Sequence, residues 1–400
     1  MKKRFVGLAV LAALAVGADA QKKGTIKIVS QTPLSGGQSK LGTAIKNGVE
    51  LAVQDFGKLV TSYGFKLVYE PYDDQANKDT GVANANRLIN DNDVLAVVGH
   101  LNSGVAIPSS EVYAKVNLTM VSPANTNPLV TDRKSTGAIT NRVCGRDDVQ
   151  GPAGADFVIT TLKAKKLYII NDKTAYGEGL AQAFSARAKA LGANKPDAVY
   201  YAGIYDQAGP LLKQMRAKGI TAPFISGDGI DSSELQALGG ADNMKNVYFT
   251  TTSGPISSLP SAKRFAERYK AKFGMDPEGY SAYGYDAGKV VLTAIAAATK
   301  DAKGMKPTRA AVAKAVRSVK FAGITGSVAF NSRGDLPVAK YFIVQAQPEY
   351  ADNKVFKAVS VAAPTPETEI NSGSSNVGGR GNPLPTLFLS HGHLELPFCV

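Results

Sequence analysis

The chain has 400 residues, with 46 Lys and Arg against 33 Asp and Glu, which gives a formal net charge of +13 at pH 7. Hydrophobic residues make up 44% and charged residues 20%, a composition that is typical of folded proteins and excludes a largely disordered chain. Two cysteines, Cys144 and Cys399, are too few for a disulfide framework or a cysteine-rich zinc module, although one disulfide between them stays open.

The first 20 residues predict a signal peptide. A basic start, Met1–Arg4, precedes the apolar run Phe5–Gly17, and Ala18–Ala20 has the small-x-small pattern of a signal peptidase site. The apolar run is too short to anchor the chain across a bilayer. No cysteine stands at the cleavage point, so a lipid anchor is not expected. We therefore expect a soluble, exported, periplasmic protein that begins at Gln21.

From Gly24 onward, short apolar runs alternate with amphipathic segments. The runs predict eight strands: 25–30, 65–70, 94–98, 118–122, 167–171, 198–201, 224–226 and 247–251. The apolar spacing between and after them predicts eight helices: 45–56, 82–89, 105–115, 179–191, 207–218, 261–273, 282–300 and 308–319. This alternation indicates an α/β fold with parallel sheets, in which ligands bind at the carboxyl ends of the strands.

Residues 362–400 are rich in Gly, Pro and Ser and have no periodicity, so they predict a disordered tail. His391, His393 and Cys399 lie in it, but three such residues in a flexible tail do not predict a metal site. The remaining positive charge is scattered as single residues along many helices. A nucleic-acid surface needs clustered cations, so no nucleic-acid partner is expected.

Two polar loops follow neighbouring strands. In VVGHLNSG, Ser103 stands where a helix begins, and the free amides of a helix N-terminus bind carboxylates or phosphates. In VSPANTNP, Ser122 and Thr126 follow the next strand. Taken alone, the first loop is better explained by Ser103 as an ordinary N-cap, and the second loop is also explained as a turn. Because the two loops follow adjacent strands, a shared ligand site is about as well supported as these simpler explanations.

Three further loops carry candidate residues. Asp228 lies between two glycines after a strand, where a carboxylate can hold an ammonium group, although Asp-Gly is also a common turn. Tyr176 and Tyr205 occupy equivalent loops and either line a pocket or pack on the loop. Catalytic motifs and nucleotide-binding glycine loops are absent, so neither an enzyme nor a cofactor is predicted. An exported hydrolase built on Ser103 and His100 ranks last among the alternatives.

In order, the chain carries TIKIVSQTPLSGGQSKLG, VVGHLNSG, VSPANTNP, RVCGRDDVQG, TAYGEG and YYAGIYDQAG. This series resembles the branched-chain amino acid binding proteins, which are type I periplasmic receptors of ABC importers. The resemblance implies two Rossmann-like lobes with parallel-sheet cores, joined by three crossover strands near 142–145, 251–254 and 331–337. It assigns 24–143 and 254–334 to lobe 1, and 144–253 and 335–361 to lobe 2.

The resemblance also implies a ligand site for an α-amino acid. Ser103 and Thr126 match positions that hold the α-carboxylate. The Ala124 carbonyl, the Thr126 hydroxyl and Asp228 match positions that hold the α-ammonium. Leu101, Asn102 and Tyr176 match positions that line the side-chain pocket, and Tyr205 lies in the lobe 2 loop that faces it. The implied partners are an amino acid, a membrane permease and its ATPase, and the protein is expected to be a monomer.

The sequence departs from the family at several positions. Asp228 stands where Glu is frequent, Asn102 where some members have a half-cystine, and Ile204 where some have Tyr, so the ligand stays open among amino acids and amides. At 191–197 the chain appears to lack about one strand–helix unit, on the order of 25 residues. We expect this gap to expose a sheet edge in lobe 2, to destabilise that lobe and to impair binding. A ligand-sensing module without transport is the main alternative function.

Overall fold

The structure is a computed structural model that describes residues 23–191, 197–364 and 386–388. The predicted signal peptide lies outside the described residues, as do His391, His393 and Cys399 of the tail. The strands are β1 Thr25–Thr32, β2 Lys66–Asp73, β3 Val94–Gly99, β4 Thr119–Ser122, β5 Thr140–Arg142, β6 Leu167–Asn171, β7 Ala198–Ala202, β8 Phe224–Ser226, β9 Val247–Thr251, β10 Phe321–Ala322, β11 Ser327–Val328, β12 Val338–Gln345, β13 Lys354–Ala362 and β14 Thr386–Phe388.

The helices are α1 Ser39–Phe56, α2 Lys58–Thr61, α3 Lys78–Asn90, α4 Ser103–Ala114, α5 Leu129–Asp132, α6 Asp147–Asp156, α7 Ala175–Ala190, α8 Tyr205–Ala217, α9 Glu234–Gly239, α10 Lys263–Phe273, α11 Gly279–Asp301 and α12 Arg309–Ser318. All eight predicted strands and all eight predicted helices are present, with ends shifted by a few residues. The sequence did not predict the helices α2, α5, α6 and α9 or the strands β5 and β10 to β14. No described helix is long and apolar enough to cross a membrane.

Two sheets form two lobes. Lobe 1 contains a parallel sheet in the order β2-β1-β3-β4-β5, and lobe 2 contains a sheet in the order β13-β12-β9-β8-β7-β6-β14. The strands from β14 to β9 of the lobe 2 sheet are parallel, whereas β12 pairs antiparallel with both β9 and β13. The chain crosses between the lobes after β5, after β9 and before β12. The α/β fold with two parallel-sheet cores is therefore confirmed.

Lobe 1 is held together by α1 and α11, which pack closely because glycines stand at their contact. A Cβ on Gly48 would lie 2.0 Å from the Ser281 carbonyl oxygen, and one on Gly284 would lie 2.5 Å from the Ile45 carbonyl oxygen. Both helices are largely buried on the facing side. This packing fixes the start of α11, which carries Tyr280 towards the other lobe.

The two lobes differ by one strand position. In the lobe 1 sheet, β1 lies between β2 and β3. Along the chain, the strand β2 and the helix α3 come between the first helices after β1 and the strand β3. In lobe 2, β6 is followed through α7 directly by its neighbour β7. The position that corresponds to β2 is taken by β14, with Thr386, Leu387 and Phe388 opposite Ile169, Ile170 and Asn171. The edge expected to be bare is thus paired in this structure, by three residues from the segment predicted to be disordered.

Candidate functional site

The predicted site residues lie at the carboxyl ends of strands in both lobes. In lobe 1, Leu101 and Asn102 follow β3, Ser103 begins α4, and Ala124 and Thr126 follow β4. In lobe 2, three residues stand in loops or first helical turns: Tyr176 in α7, Tyr205 in α8 and Asp228 after β8. All are buried except Asn102, which is partly exposed.

The beginning of α4 has the features of an anion-binding position. The amides of Ser103 and Gly104 precede the first helical hydrogen bonds, which run from Val105 and Ala106 to the Asn102 carbonyl, and the Asn102 side chain does not cap them. The Ser103 hydroxyl, which is 1% exposed, accepts a 3.4 Å hydrogen bond from the Asn127 amide. A helix N-terminus that ends at a buried hydroxyl binds a carboxylate through its dipole and its free N–H groups.

Asp228 is held rigidly at the opposite side. Its Oδ1 accepts hydrogen bonds from Gln150 Nε2 at 2.6 Å and from the Tyr176 hydroxyl at 2.8 Å, and its Oδ2 accepts one from Tyr280. Thr174 caps α7 by accepting from the Gly177 amide at 3.0 Å, which fixes the turn that carries Tyr176. Burial raises the pKa of Asp228, and the three donors only partly offset that effect.

A second carboxylate, Asp147, stands beside Asp228. It is fully buried in the first turn of α6, and Gln150 Nε2 lies 3.5 Å from its Oδ1. Burial, followed by the negative charge of Asp228, raises the pKa of Asp147 well above the ordinary value of 3.8. Its backbone amide donates to the Thr126 carbonyl at 2.9 Å, so the acidic pair adjoins the loop after β4.

The charge of this pair is unbalanced. Within the described residues, no Lys, Arg or His forms an ion pair with Asp147 or Asp228, and Arg142, whose charge favours ionised Asp147, pairs with Asp335 instead. Asp147 Oδ2 has no hydrogen-bond partner in the described part of the chain. Thr126 lies close enough to Asp147 to favour its ionised form, yet its Oγ1 makes no hydrogen bond of acceptable geometry. Two buried acids without a cation are suited to bind an ammonium group.

Further buried polar atoms near the acidic pair lack partners among the described residues. Gln150 Oε1 has none, and neither has the hydroxyl of Tyr200, whose ring stacks on Phe184. Burial and then the charges of Asp147 and Asp228 raise the pKa of Tyr200. Buried polar atoms are normally paired, so a polar ligand at this position would satisfy them.

Comparison with known families identifies the family of this chain. The sequence model described as "Periplasmic binding protein" matches residues 25–194 and 184–354, which together span most of the chain. The chain belongs to the periplasmic binding protein family.

Relatives in the family carry amino acid names. An "Amino acid binding protein" from Pseudomonas aeruginosa is 32% identical over 369 residues, covering 86% of this chain and 96% of the relative. A "Leu/Ile/Val-binding protein BraC3" from Rhizobium johnstonii is 33% identical and covers 82% of this chain and 92% of its own length. The crystal structure of the leucine-binding protein LivK from Thermotoga maritima matches with a TM-score of 0.74 and 28% identity, covering 84% of this chain and 99% of LivK.

The two lobes of this family member touch across the cleft. Asn127 Nδ2 of lobe 1 donates to the Ala175 carbonyl of lobe 2 at 2.6 Å. Tyr280 at the start of α11 bonds Asp228, as described above, and Ser233 Oγ of lobe 2 donates to Glu278 Oε1 at 2.6 Å. Contacts of this kind join the lobes on both sides of the acidic pair, so the structure shows the cleft closed.

A buried charge cluster connects two of the crossings between the lobes. Arg142, at the end of β5, donates to Asp335 Oδ1 at 2.7 Å and to the Asn125 carbonyl at 2.8 Å. Arg146 donates to Asp335 Oδ2 at 3.0 Å. Burial alone would raise the pKa of Asp335, but Arg142 and Arg146 lower it below its ordinary value. The cluster therefore holds the first and third crossings between the lobes together.

The nucleophile–base pair of a hydrolase is not formed. The His100 ring lies 3.1 Å from Asp74 Oδ2 through Nδ1 and 3.4 Å from the Tyr113 hydroxyl through Nε2, and all three are buried in lobe 1. Ser103 Oγ instead meets the Asn127 amide. The histidine therefore has a structural role beneath the loop, and a hydrolase using Ser103 and His100 is not supported.

Sequence reasoning missed Asp147, Gln150 and Tyr280. An Asp in the first turn of a helix is common because it favours the helix dipole, so Asp147 carries no distinct signal. The start of α11 at Gly279 puts Tyr280 beside Asp228, which only the packing of the lobes shows. Among the predicted residues, Tyr176 and Asp228 are in direct contact, while Asn102 and Tyr205 lie on the side of the cleft away from the acidic pair, described below.

Proposed function

We propose that this protein is an extracytoplasmic solute receptor that captures a branched-chain or related amino acid between its lobes and delivers it to an ABC importer. The observation that carries the proposal is the unbalanced pair Asp147 and Asp228 in a cleft that also contains the N-terminus of α4. A zwitterion with ammonium and carboxylate groups on one carbon matches these two charges. The names of the relatives support the same ligand class.

In the proposed complex, the ammonium group lies between Asp228, Asp147, the Ala124 carbonyl and the Thr126 hydroxyl. The carboxylate accepts from Ser103 and the first amides of α4. Because the acids belong to the lobe 2 side and the helix end to lobe 1, the ligand joins the lobes and favours the closed population. The lobes that close on the ligand comprise residues 24–143 and 254–334 for lobe 1, and residues 144–253 and 335–361 for lobe 2.

The transport role rests on the resemblance stated above. A periplasmic location after removal of residues 1–20, a permease and ATPase as partners, and a monomeric state all belong to this proposal. A receptor of this type releases its ligand when the membrane partner holds the lobes apart.

We further propose that lobe 2 lacks one strand–helix unit, as the sequence predicts. The order β6-α7-β7 against β1-α1-β2-α3-β3 supports it. The alignment to the Pseudomonas relative also supports the missing unit. It extends over 369 residues but covers only 86% of the 400 residues of this chain, or about 344, so about 25 aligned positions have no residue here. None of the proposed ligand residues lies on β2 or α3 of lobe 1, so the corresponding gap in lobe 2 spares the site and affects stability.

Calorimetric titration of the mature chain with leucine, isoleucine and valine tests the proposal. We expect one ligand per chain and a clear loss of affinity in Ser103→Ala, because the hydroxyl and the helix end act on the carboxylate. Ser62→Ala, an exposed serine outside the cleft, is the matched control and should bind as the unaltered chain does. Absence of heat with all three amino acids, in a protein that unfolds cooperatively, would contradict the proposal.

A further inference from the structure

An acidic cavity opens between the lobes beside the proposed amino acid site. Its volume is about 530 Å³, and it is lined by the beginning of α1, the beginnings of α8 and α9, and the segment before α11. Four carboxylates from both lobes line it: Asp206 and Glu234 from lobe 2, and Asp276 and Glu278 from lobe 1. Lys40 is the one cation of the lining, at 3.6 Å from Glu278 Oε1.

The buried carboxylate of Glu278 has an unfilled hydrogen-bonding position in this cavity. Glu278 is 6% exposed, and its Oε1 accepts from Ser233 Oγ at 2.6 Å. Its Oε2 is buried and has no hydrogen-bond partner among the described residues. A buried carboxylate oxygen without a donor is costly, which indicates that a donor group from outside the chain belongs there.

The cavity adjoins the proposed amino acid site through one side chain. Asn102, next to Ser103, donates through Nδ2 to Gln38 Oε1 at 2.7 Å, and Gln38 Nε2 lies 3.4 Å from Asp206 Oδ2. Asn102 Oδ1 is a second buried acceptor without a partner in the described residues. Tyr205, predicted from the sequence to face the side-chain pocket, lines the cavity. The hydrogen bonds from Asn102 to Gln38 and from Gln38 to Asp206 therefore connect the residue before the α4 N-terminus with the acidic lining of the cavity.

We propose that this cavity is a side-chain subsite for a cationic group, so that the receptor accepts α-amino acids whose side chain ends in an amine or guanidine. The inference rests on the proposed function, since the α-amino and α-carboxylate groups occupy the cleft as described there. The distal cation lies against Glu278 of lobe 1 and Asp206 and Glu234 of lobe 2. Because these carboxylates come from both lobes, the cation adds a further link that favours closure.

Titration of the mature chain with lysine, norleucine, leucine and cadaverine tests the subsite. Norleucine has a linear side chain without the distal amine, and cadaverine is lysine without its carboxylate. We expect lysine to bind at least tenfold more tightly than norleucine, with the difference shrinking as sodium chloride is raised, and cadaverine to bind much more weakly than lysine.

Two variants identify the carboxylates. Glu278→Gln and Glu234→Gln should each reduce the preference for lysine over norleucine severalfold, whereas Glu267→Gln, an exposed glutamate of α10 outside the cavity, should leave it unchanged. Glu234→Gln removes a partly exposed carboxylate and keeps the assay valid if Glu278→Gln does not fold.

The outcomes separate this inference from the proposed function. Leucine binding combined with equal or weaker binding of lysine than of norleucine overturns the subsite and leaves the receptor function intact. If cadaverine binds as tightly as lysine, the cavity does not act as a side-chain subsite of the amino acid site, because the α-carboxylate then contributes nothing to binding. Failure of all the amino acids to bind a cooperatively folded chain overturns the proposed function itself.

Discussion

Replacing Asp147 by asparagine distinguishes two effects of the acidic pair: the instability it causes in the ligand-free protein and the affinity it gives for the ligand. The side chain keeps its size and its place in the first turn of α6, but loses its charge next to Asp228. If the ligand ammonium binds both acids, the loss of one hydrogen bond to a charged group weakens binding by about 1.5–3 kcal/mol. At about 1.4 kcal/mol per tenfold, the dissociation constant for leucine should rise roughly 10- to 150-fold.

The ligand-free protein should respond in the opposite direction. Asp147 is buried, has an oxygen without a partner and lies beside a second acid, so the folded state carries an electrostatic cost when no ligand is bound. An amide removes the repulsion and offers Asp228 a donor. Relief of about 1–3 kcal/mol, the usual cost of an unsatisfied buried group, corresponds to a rise in Tm of several degrees for a protein of this size.

Calorimetric titration with leucine and thermal unfolding with and without leucine measure both effects. Asp79→Asn is the matched control, because Asp79 also stands in the first turn of a helix but is exposed. Its dissociation constant and Tm should stay close to those of the unaltered chain. A leucine affinity within about threefold of the original for Asp147→Asn, or a lower Tm without ligand, would refute the role given to the pair.

Three more predictions follow from the charges and the sheet edge. Since burial raises the pKa of Asp147 and Asp228, leucine affinity should increase as pH rises above 3.8. Over the same window the free energy of unfolding of the ligand-free protein should fall, because the folded state binds more protons than the unfolded state. Flat titration and unfolding profiles between pH 4 and pH 7 would contradict this. Asp335→Ala leaves Arg142 buried without its carboxylate and should cost about 3–5 kcal/mol in urea unfolding, clearly more than Asp335→Asn. A chain that ends at Pro364 loses β14 and should show a lower Tm and self-association in sedimentation through the uncovered edge of β6, whereas unchanged behaviour would show that β14 does not stabilise the lobe.

The sequence predicts the architecture well because apolar periodicity is a local signal. Eight strands and eight helices follow from the alternation of apolar runs and amphipathic segments. The helix α6 escapes it because its sequence, DDVQGPAGAD, contains Gly and Pro and no regular apolar face. The antiparallel strands β12 and β13 lie after the last strand–helix unit, where the alternation ends.

The site was predictable only in part, and for a related reason. Ser103, Thr126 and Asp228 are found because a polar residue at a strand end is a recognisable pattern in parallel α/β folds. Asp147 and Gln150 lie on α6, which the sequence did not reveal, and Tyr280 reaches Asp228 from the other lobe. Pairings across a cleft depend on how two sheets are placed in space, and no spacing along the chain encodes them. The packing of α1 on α11, which Gly48 and Gly284 permit and which positions Tyr280, likewise joins segments far apart in the chain.

In the proposed complex the cleft binds the two charges of one zwitterion, the ammonium at Asp147 and Asp228 and the carboxylate at the α4 N-terminus. The most direct test is calorimetric titration of the mature chain with leucine, with 4-methylpentanoate, which lacks the ammonium group, and with isopentylamine, which lacks the carboxylate. We expect one leucine per chain and a loss of affinity of at least a hundredfold for each analogue, because each leaves one side of the closed cleft without its charged partner. Binding of either analogue as tightly as leucine would contradict the proposed complex.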